Sequence, residues 1–462
     1  MMIALALLTA HLSKAKTDSD MIALELIVSI FVVIWALINV YNIYPLLKSF
    51  AARMGESSRK DTKYFYLPDK LPRISIMIPA YREEGVLRRC VDRIFDSKYP
   101  QDLIDLIILT EKDDKATIKV AQECIRKYGA RHVMIRETDE PKGKPRALRQ
   151  GYIHADNEII GIVDAEDIVD LWLLKKVAAM IDQGYDVVQG TLALTNDYDG
   201  WKNLHSRAEY GYWYKRYLPS LAVSGLPVPL GGTTCFFKRS ALEDVGLWDA
   251  FNLTEDFDMG LRLYNAKKKV GIIDGMETRK GYDEIFANRY NIGTLDSVTR
   301  EESPTTFMGW LRQRTRWQRG KIQTLKKFIR KPPASRKDAL HTYFISFIPH
   351  LGAINTMGII LSIYALSIGV QLPSAISYIA YFDIFCLFYY CYSQAMGFIY
   401  STDGRNKHRV LKAFAIGLTT PLYWAMQWAA DFRAMKHEYI DRSIFWEKTE
   451  HLGRHYKVRT QA

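Results

Sequence analysis

The sequence predicts an α/β domain with a mostly parallel sheet, held between membrane-spanning helices. Three observations carry that expectation. Between Leu71 and Arg300, short β-type apolar runs alternate with helical patterns: ISIMIPA (74–80), LIILTE (106–111), HVMIRE (132–137), EIIGIVDA (158–165) and DVVQGTLAL (186–194). Such alternation builds a parallel sheet with helices on both faces. Ahead of it, Leu26 to Leu47 runs without a charged residue, long enough to cross a hydrocarbon layer of roughly 30 Å. Behind it, apolar runs return from Tyr343 to Val370, Ala375 to Tyr400 and Val410 to Ala430.

Each segment follows from those patterns in turn. Residues 1–50 form an N-terminal transmembrane segment, and Lys48, Arg53, Arg59 and Lys60 follow the span, so the positive-inside rule puts the next segment in the cytosol. That segment, 51–305, is the α/β domain. In residues 306–331, Trp310, Trp317, Leu325 and Phe328 fall near helical spacing, with Phe307, Leu311 and Ile322 alongside. An amphipathic helix lying under the membrane explains the Lys and Arg on its other face, and Lys331-Pro332-Pro333 stops it. Residues 341–431 form a second membrane region and 432–462 a basic tail. The loop 401–409 and the tail both look cytosolic by charge, yet one ordinary span between them would separate them. One C-terminal segment is therefore expected to be re-entrant, interfacial or double, with breaks at Pro349 or Pro421.

The 462 residues are 48% hydrophobic and 13% aromatic, enough to bury a large core. A net charge of +12 suits an anionic partner, whether nucleotide phosphates, nucleic acid or lipid headgroups. Nucleic-acid binding needs basic residues on a soluble face, whereas here they cluster beside bilayer segments. A transporter needs ionisable groups inside its spans, for which Asp383 is the clearest candidate. Five scattered cysteines without a C-x-x-C pair indicate neither a disulfide framework nor a zinc site.

In open α/β sheets, ligands sit beyond the carboxyl ends of the strands. Those ends read PAYREE, TEKDDKAT and VDAED. Converging carboxylates repel one another unless a divalent cation or a bound hydroxyl compensates, and oxygen-only ligands favour Mg²⁺ or Mn²⁺. Solvated Asp-rich loops are the plainer explanation of any single cluster. In LTEDFDMGLRL (253–263), Thr254-Glu255-Asp256 stands just before a helical pattern, where an N-cap with first-turn acids is expected. That local role is compatible with a catalytic carboxylate.

In order along the chain, PAYREE, the Asp-bearing second strand end, GKPRAL (143–148), DAED (164–167), PLGGTTCFF (229–237), TED (254–256) and QRTRW (313–317) resemble a family-2 glycosyltransferase. The resemblance is to the membrane-integrated, cellulose-synthase-like type, which includes hyaluronan and chitin synthases, and it covers about Leu71 to Gly320. It implies a GT-A fold, a nucleotide-sugar donor, a divalent metal and an inverting reaction. By that resemblance Asp256 is the general base. Glu111 and Asp113 sit near the nucleoside, although TEKDD is spaced differently from the Asp-Asp-Gly of the cellulose enzymes. Lys144 neutralises donor phosphate, Arg316 lies near the diphosphate, and Asp164 is the first acid of a D-x-D metal motif. Its partner is Glu166 or Asp167. Thr254, Glu255, Gln313, Trp317 and Gly232 belong to acceptor binding, with Trp317 stacking on a sugar. In the tail, Trp446, Lys448 and Thr449 resemble a gating segment; a membrane-surface helix is the other reading.

The implied protein is a multi-pass membrane enzyme with a cytosolic catalytic domain, extending a β-linked polysaccharide from a nucleotide sugar, most simply a UDP-sugar. The alternative is a single addition to a lipid acceptor, a polyprenyl phosphate or a glycolipid. Nucleic acid is not expected among its partners.

Overall fold

The computed structural model describes residues 18–58, 67–194, 200–273, 298–401 and 408–441. Helix α1 (Asp18–Ser58) precedes β1 (Ile74–Ala80), α2 (Leu87–Phe95), β2 (Ile104–Glu111), α3 (Lys115–Tyr128), β3 (Arg131–Ile135), α4 (Lys144–Tyr152) and β4 (Ile159–Ile162). The chain continues through α5 (Leu173–Asp182), β5 (Val187–Gln189), β6 (Thr191–Leu194), α6 (Trp201–Tyr212), a π-helical turn (Trp213–Tyr217) and α7 (Leu218–Ser224). Next come β7 (Cys235–Lys238), α8 (Arg239–Val245), α9 (Glu255–Asn265), β8 (Val270–Ile272) and β9 (Val298–Glu301). Helices α10 (Phe307–Arg330), α11 (Arg336–Ser346), α12 (Ile348–Ser367), α13 (Ser374–Ser401) and α14 (Arg409–Met435) follow, and a second π-helical turn spans Lys436–Asp441.

The main sheet has the order β3-β2-β1-β4-β7-β5-β8. Successive side chains of a strand point to opposite faces, and both faces here are covered. Ile74, Ile76 and Ile78 join one core with Ile108 and Phe236, while Met77 joins the other with Leu109, Ile162 and Phe237. Burial on both sides is why these strands read as unbroken apolar runs. Neighbouring strands are parallel except at β7, which runs antiparallel to β4 and β5. The run expected as one strand over 186–194 is two: it divides at Gly190, whose N–H donates to Thr234 O at 2.8 Å. Beyond that point β6 pairs with β9 in a separate parallel ladder. Because β2, β1 and β4 are adjacent, their carboxyl ends open on one crevice.

Helix α10, expected to lie on the membrane surface, packs against protein along much of its length. Trp310, Ile322, Leu325 and Phe328 are buried, and so are Arg314, Thr315, Gln318 and Thr324 on other faces. Protein, from α9 and α14, covers most of the expected apolar face, while Phe307 stays half exposed. Its lysines are likewise engaged: Lys326 Nζ donates to Glu438 at 2.9 Å, and Lys327 Nζ to Asp249 at 2.9 Å and to the fully buried Asp258 at 2.9 and 3.0 Å. Hydrogen bonds to charged groups contribute about 1.5–3 kcal/mol, and Arg262 still pairs with Asp258 at 2.7 Å. Lys327→Ala is therefore expected to lose about 2 kcal/mol, seen as a lower thermal midpoint of the detergent-solubilised protein. An unchanged midpoint would return Lys327 to the surface role.

Among the described residues three helical segments are long and apolar enough to cross a membrane: Ser19–Ala51, Ile348–Ser367 and Ser374–Ser401. Helix α1 outruns the expected 1–50 segment and stays continuous through Pro45. The break expected near Pro349 is present, since α11 ends at Ser346 and α12 starts at Ile348. Pro421 breaks nothing and lies inside α14. Helix α14, expected as a membrane segment, packs against α13 and also meets the catalytic domain. Thr419 meets Trp201 and His205 at 3.0 and 2.9 Å, Tyr423 meets Ser206 at 3.2 Å, and Asp431 accepts from Gln318. Asp383 of α13 ties two candidate spans together: Asn39 of α1 donates to it at 2.8 Å, and Tyr390 donates to Asn39 at 3.2 Å.

Candidate active site

A cavity of about 1840 Å³ opens at the carboxyl ends of β1, β2 and β4 and extends to α6, α10 and the turn after α14. Of the two residues expected to hold the nucleoside, Glu111 lines this cavity and Asp113 lies outside it. Arg146 donates to both oxygens of the buried Glu111, at 2.8 and 2.9 Å. Asp113 is exposed and bonds Lys142 Nζ at 2.8 and 2.9 Å, which holds its carboxyl below the usual range. Lys142 in turn sits 4.0 Å over the Tyr81 ring. Asp114, next in the run, is structural: it caps α3 by accepting from Thr117 N at 3.2 Å.

At the centre, Lys144 Nζ donates to Asp164 Oδ1 and, at 2.8 Å, to Gly232 O. Burial works against the ammonium, but Asp164, Glu255 and Asp256 outweigh it and raise its pKa. Asp164 and Glu166 line the cavity. Asp167 does not; it is turned inward, 1% exposed, accepting from the Thr233 hydroxyl and from Asp164 N at 3.3 Å. Of the two partners left open for Asp164, Glu166 borders the cavity and Asp167 is turned away from it, its acidity lowered sharply by burial. Among the described residues no cluster of three or more His, Cys, Asp or Glu is arranged to hold a metal. Two hard carboxylate donors beside open cavity nonetheless suit an ion that shares its shell with substrate phosphates and water.

The Thr254-Glu255-Asp256 turn enters α9. Thr254 is the N-cap residue, but its side chain caps nothing; its N–H and hydroxyl reach Asn252 Oδ1 at 2.9 and 3.4 Å. Asp256 Oδ1 accepts from Phe257 N at 2.8 Å. A Cβ on Gly232, at φ +81°, would stand 2.9 Å from Asp256 Oδ2, so a side chain there would crowd the carboxylate. Burial pushes Glu255 up to about 7, helped by Asp256, and burial likewise raises Asp256 against the pull of Lys144 and Arg316. Raised carboxyls in a cleft are candidates for acid–base work.

Helix α10 supplies the opposite wall. Gln313, Arg316 and Trp317 all line the cavity. The same helix holds the acidic turn: Gln323 accepts from Leu253 N at 3.0 Å, and Asn252 donates to Thr324 Oγ1 at 2.8 Å. Contact is close enough that a Cβ on Gly320 would lie 2.0 Å from Thr254 Oγ1 and 2.6 Å from Thr254 N. Gly320→Ala must therefore push helix and turn apart. Misplacing reactive groups by about 1 Å costs on the order of 10²-fold, so turnover of this variant is expected to fall by about that factor, measured as sugar transferred per folded enzyme. Wild-type turnover would show that the turn tolerates the shift.

Sequence reasoning missed Glu209 and Arg314, which also line the cavity. Arg314 Nη1 donates to Glu209 Oε1 at 2.7 Å, and its guanidinium lies 4.4 Å over the Trp317 ring. Nothing in the α6 sequence marks Glu209. Trp446, Lys448 and Thr449 lie outside the described residues.

The comparisons with known proteins agree with this architecture. Residues 72–320, more than half of the chain, match the family described as Glycosyltransferase like family 2. The protein is thus a sugar-transferring enzyme. It belongs to the family 2 glycosyltransferases, as the motif order implied. The "Probable glycosyltransferase YdaM" of Bacillus subtilis is 24% identical over 407 residues, covering 84% of this chain and 88% of that protein. A beta-monoglucosyldiacylglycerol synthase of Synechocystis sp. is 25% identical over 256 residues, 54% of this chain and 48% of that protein. In structure the chain is similar to the mannosyltransferase PcManGT from Pyrobaculum calidifontis, solved with GDP-Man and Mn²⁺. The TM-score is 0.55 at 16% identity, covering 88% of this chain and 99% of that one. That likeness establishes a GT-A-like fold.

Proposed function

We propose that the protein transfers a sugar, with inversion at the anomeric carbon, from a nucleoside diphosphate donor to the terminal sugar of a growing β-linked polysaccharide at the membrane. The observation that carries this reading is Trp317. One face of its ring is braced by Arg314 at 4.4 Å, and the ring borders the cavity that also holds Asp256. A braced aromatic beside a buried carboxylate suits an acceptor that ends in a sugar.

In this reading Asp256 takes the proton of the acceptor hydroxyl as its oxygen attacks the anomeric carbon, and the nucleoside diphosphate leaves from the opposite face. Negative charge gathers on the leaving group. Lys144, Arg316 and the N-terminal N–H groups of α4, which begins at Lys144, are the groups of this chain that meet it. Gln313 and Gly232 border the acceptor, and Thr254 and Glu255 hold the base in place. Asp164 and Glu166 would hold Mg²⁺ or Mn²⁺, which, when bound, screens phosphate charge. Glu111 and Asp113 border the nucleoside. With α1, α12 and α13 in the bilayer, the catalytic domain faces the cytosol and α14 lies at the interface, which removes the conflict between the two basic loops.

The second reading, single addition to a lipid, is favoured by the likeness to the beta-monoglucosyldiacylglycerol synthase. Detergent-purified protein given labelled UDP-glucose, UDP-N-acetylglucosamine and GDP-mannose separately, with lipid extract as acceptor, decides between them. A ladder of water-soluble oligosaccharides supports polymerisation. One sugar per organic-extractable product supports the lipid reading, and donor left intact in all three would overturn both.

A further inference from the structure

We infer that Glu209 is a positioning residue for the acceptor site, acting through Arg314 to fix the plane of the Trp317 ring. This rests on the reading of Trp317 as the acceptor's platform. Arg314 is buried in α10, 5% exposed, and its guanidinium has Trp317 at 4.4 Å and the fully buried Trp310 at 5.7 Å. A buried guanidinium needs a fixed anion, and Glu209 supplies it at 2.7 Å. Burial opposes the charge on Arg314, and the Glu209 carboxylate more than restores it.

The carboxylate is itself fixed from a third helix. Its other oxygen, Oε2, accepts from Tyr423 at 2.9 Å and from Gln427 at 3.4 Å, both on α14. Tyr423 stacks on His205 with ring centroids 4.8 Å apart and meets the Trp310 ring at 5.6 Å. Helices α6, α10 and α14 thus converge on one carboxylate whose two oxygens are both engaged. Its effect is passed to the cavity by the cation over the ring. An acceptor that stacks on the free face of Trp317 would sense any loosening of the other face.

The test uses full-length protein in membranes of the expressing cells, whose own lipids and glycans serve as acceptor. An equimolar mixture of UDP-glucose, UDP-N-acetylglucosamine and GDP-mannose, labelled in the sugar, serves as donor. Glu209→Gln, Tyr423→Phe, Trp317→Ala and the double variant Glu209→Gln/Trp317→Ala are compared with wild type. Loss of the brace is expected to lower the maximal rate of transfer about tenfold in Glu209→Gln, and less in Tyr423→Phe, with donor KM close to wild type. Because both changes act through one ring, the double variant should transfer no more slowly than Trp317→Ala alone. Multiplied losses in the double variant, a raised donor KM, or unchanged transfer in Glu209→Gln beside an impaired Trp317→Ala would each overturn the assignment. Full transfer by Trp317→Ala would instead overturn the platform reading itself. Tyr423→Phe removes only a hydroxyl and keeps the comparison available where Glu209→Gln accumulates poorly.

Discussion

Asp256→Asn is expected to lower sugar transfer by about 10²–10⁴-fold, the usual contribution of a general base, while leaving nucleotide binding close to wild type. The asparagine keeps the size of the side chain and its contact with Phe257 N, so the loss falls on a proton acceptor used only in the transition state. Isothermal titration with nucleoside diphosphate, beside a transfer assay, separates the two quantities. More than about a tenth of wild-type transfer would remove Asp256 from the role. The pH profile follows from the same site. Burial raises both Asp256 and Glu255, the latter to about 7, and a base works only when ionised. Transfer should therefore decline as pH falls through a titration that burial has moved up from the ordinary carboxylate range near 4.

Removal of divalent metal is expected to have the next largest effect. Chelated protein should be inactive and should recover with Mn²⁺ or Mg²⁺, since a leaving diphosphate is poorly stabilised without a cation. The inward turn of Asp167 sharpens this expectation into a contrast. Asp164→Ala should weaken both donor binding and turnover, and Glu166→Gln should raise the metal concentration needed for half activity. Asp167→Asn disturbs the bond from Thr233 and should lower thermal stability more than metal affinity. Full activity in excess chelator contradicts the metal assignment, and equal metal dependence at positions 166 and 167 contradicts the geometry.

Much of this site was legible because its signals are local. Doubly covered strands give continuous apolar runs, and the residues at or just past their ends, at Glu111, Asp164 and the Tyr81 loop, reach the crevice by topology alone. What was not legible depends on partners distant in sequence. The spacing of Trp310, Ile322 and Phe328 reports an apolar face, but it does not say whether lipid or protein covers it. Here Asp249, Asp258 and Glu438 answer for lysines that look like a membrane-facing row. Strand β7 reverses direction after the excursion through α6 and α7, and no pattern within CFFK records that reversal. Glu166 and Asp167 are neighbours on one turn, and only the position of Thr233 tells them apart. Glu209 gave no signal at all, since its meaning lies in Arg314 and Tyr423, far along the chain.

In the proposed reaction one cavity aligns donor, base and acceptor platform. A structure of the Asp256→Asn protein with an intact nucleotide sugar and Mn²⁺ tests it most directly. The expected complex has diphosphate oxygens near Lys144 and Arg316, a cation on Asp164 and Glu166, and the anomeric carbon facing position 256 with the Trp317 ring beyond. A sugar held away from position 256, or a diphosphate that does not reach Lys144, would contradict it.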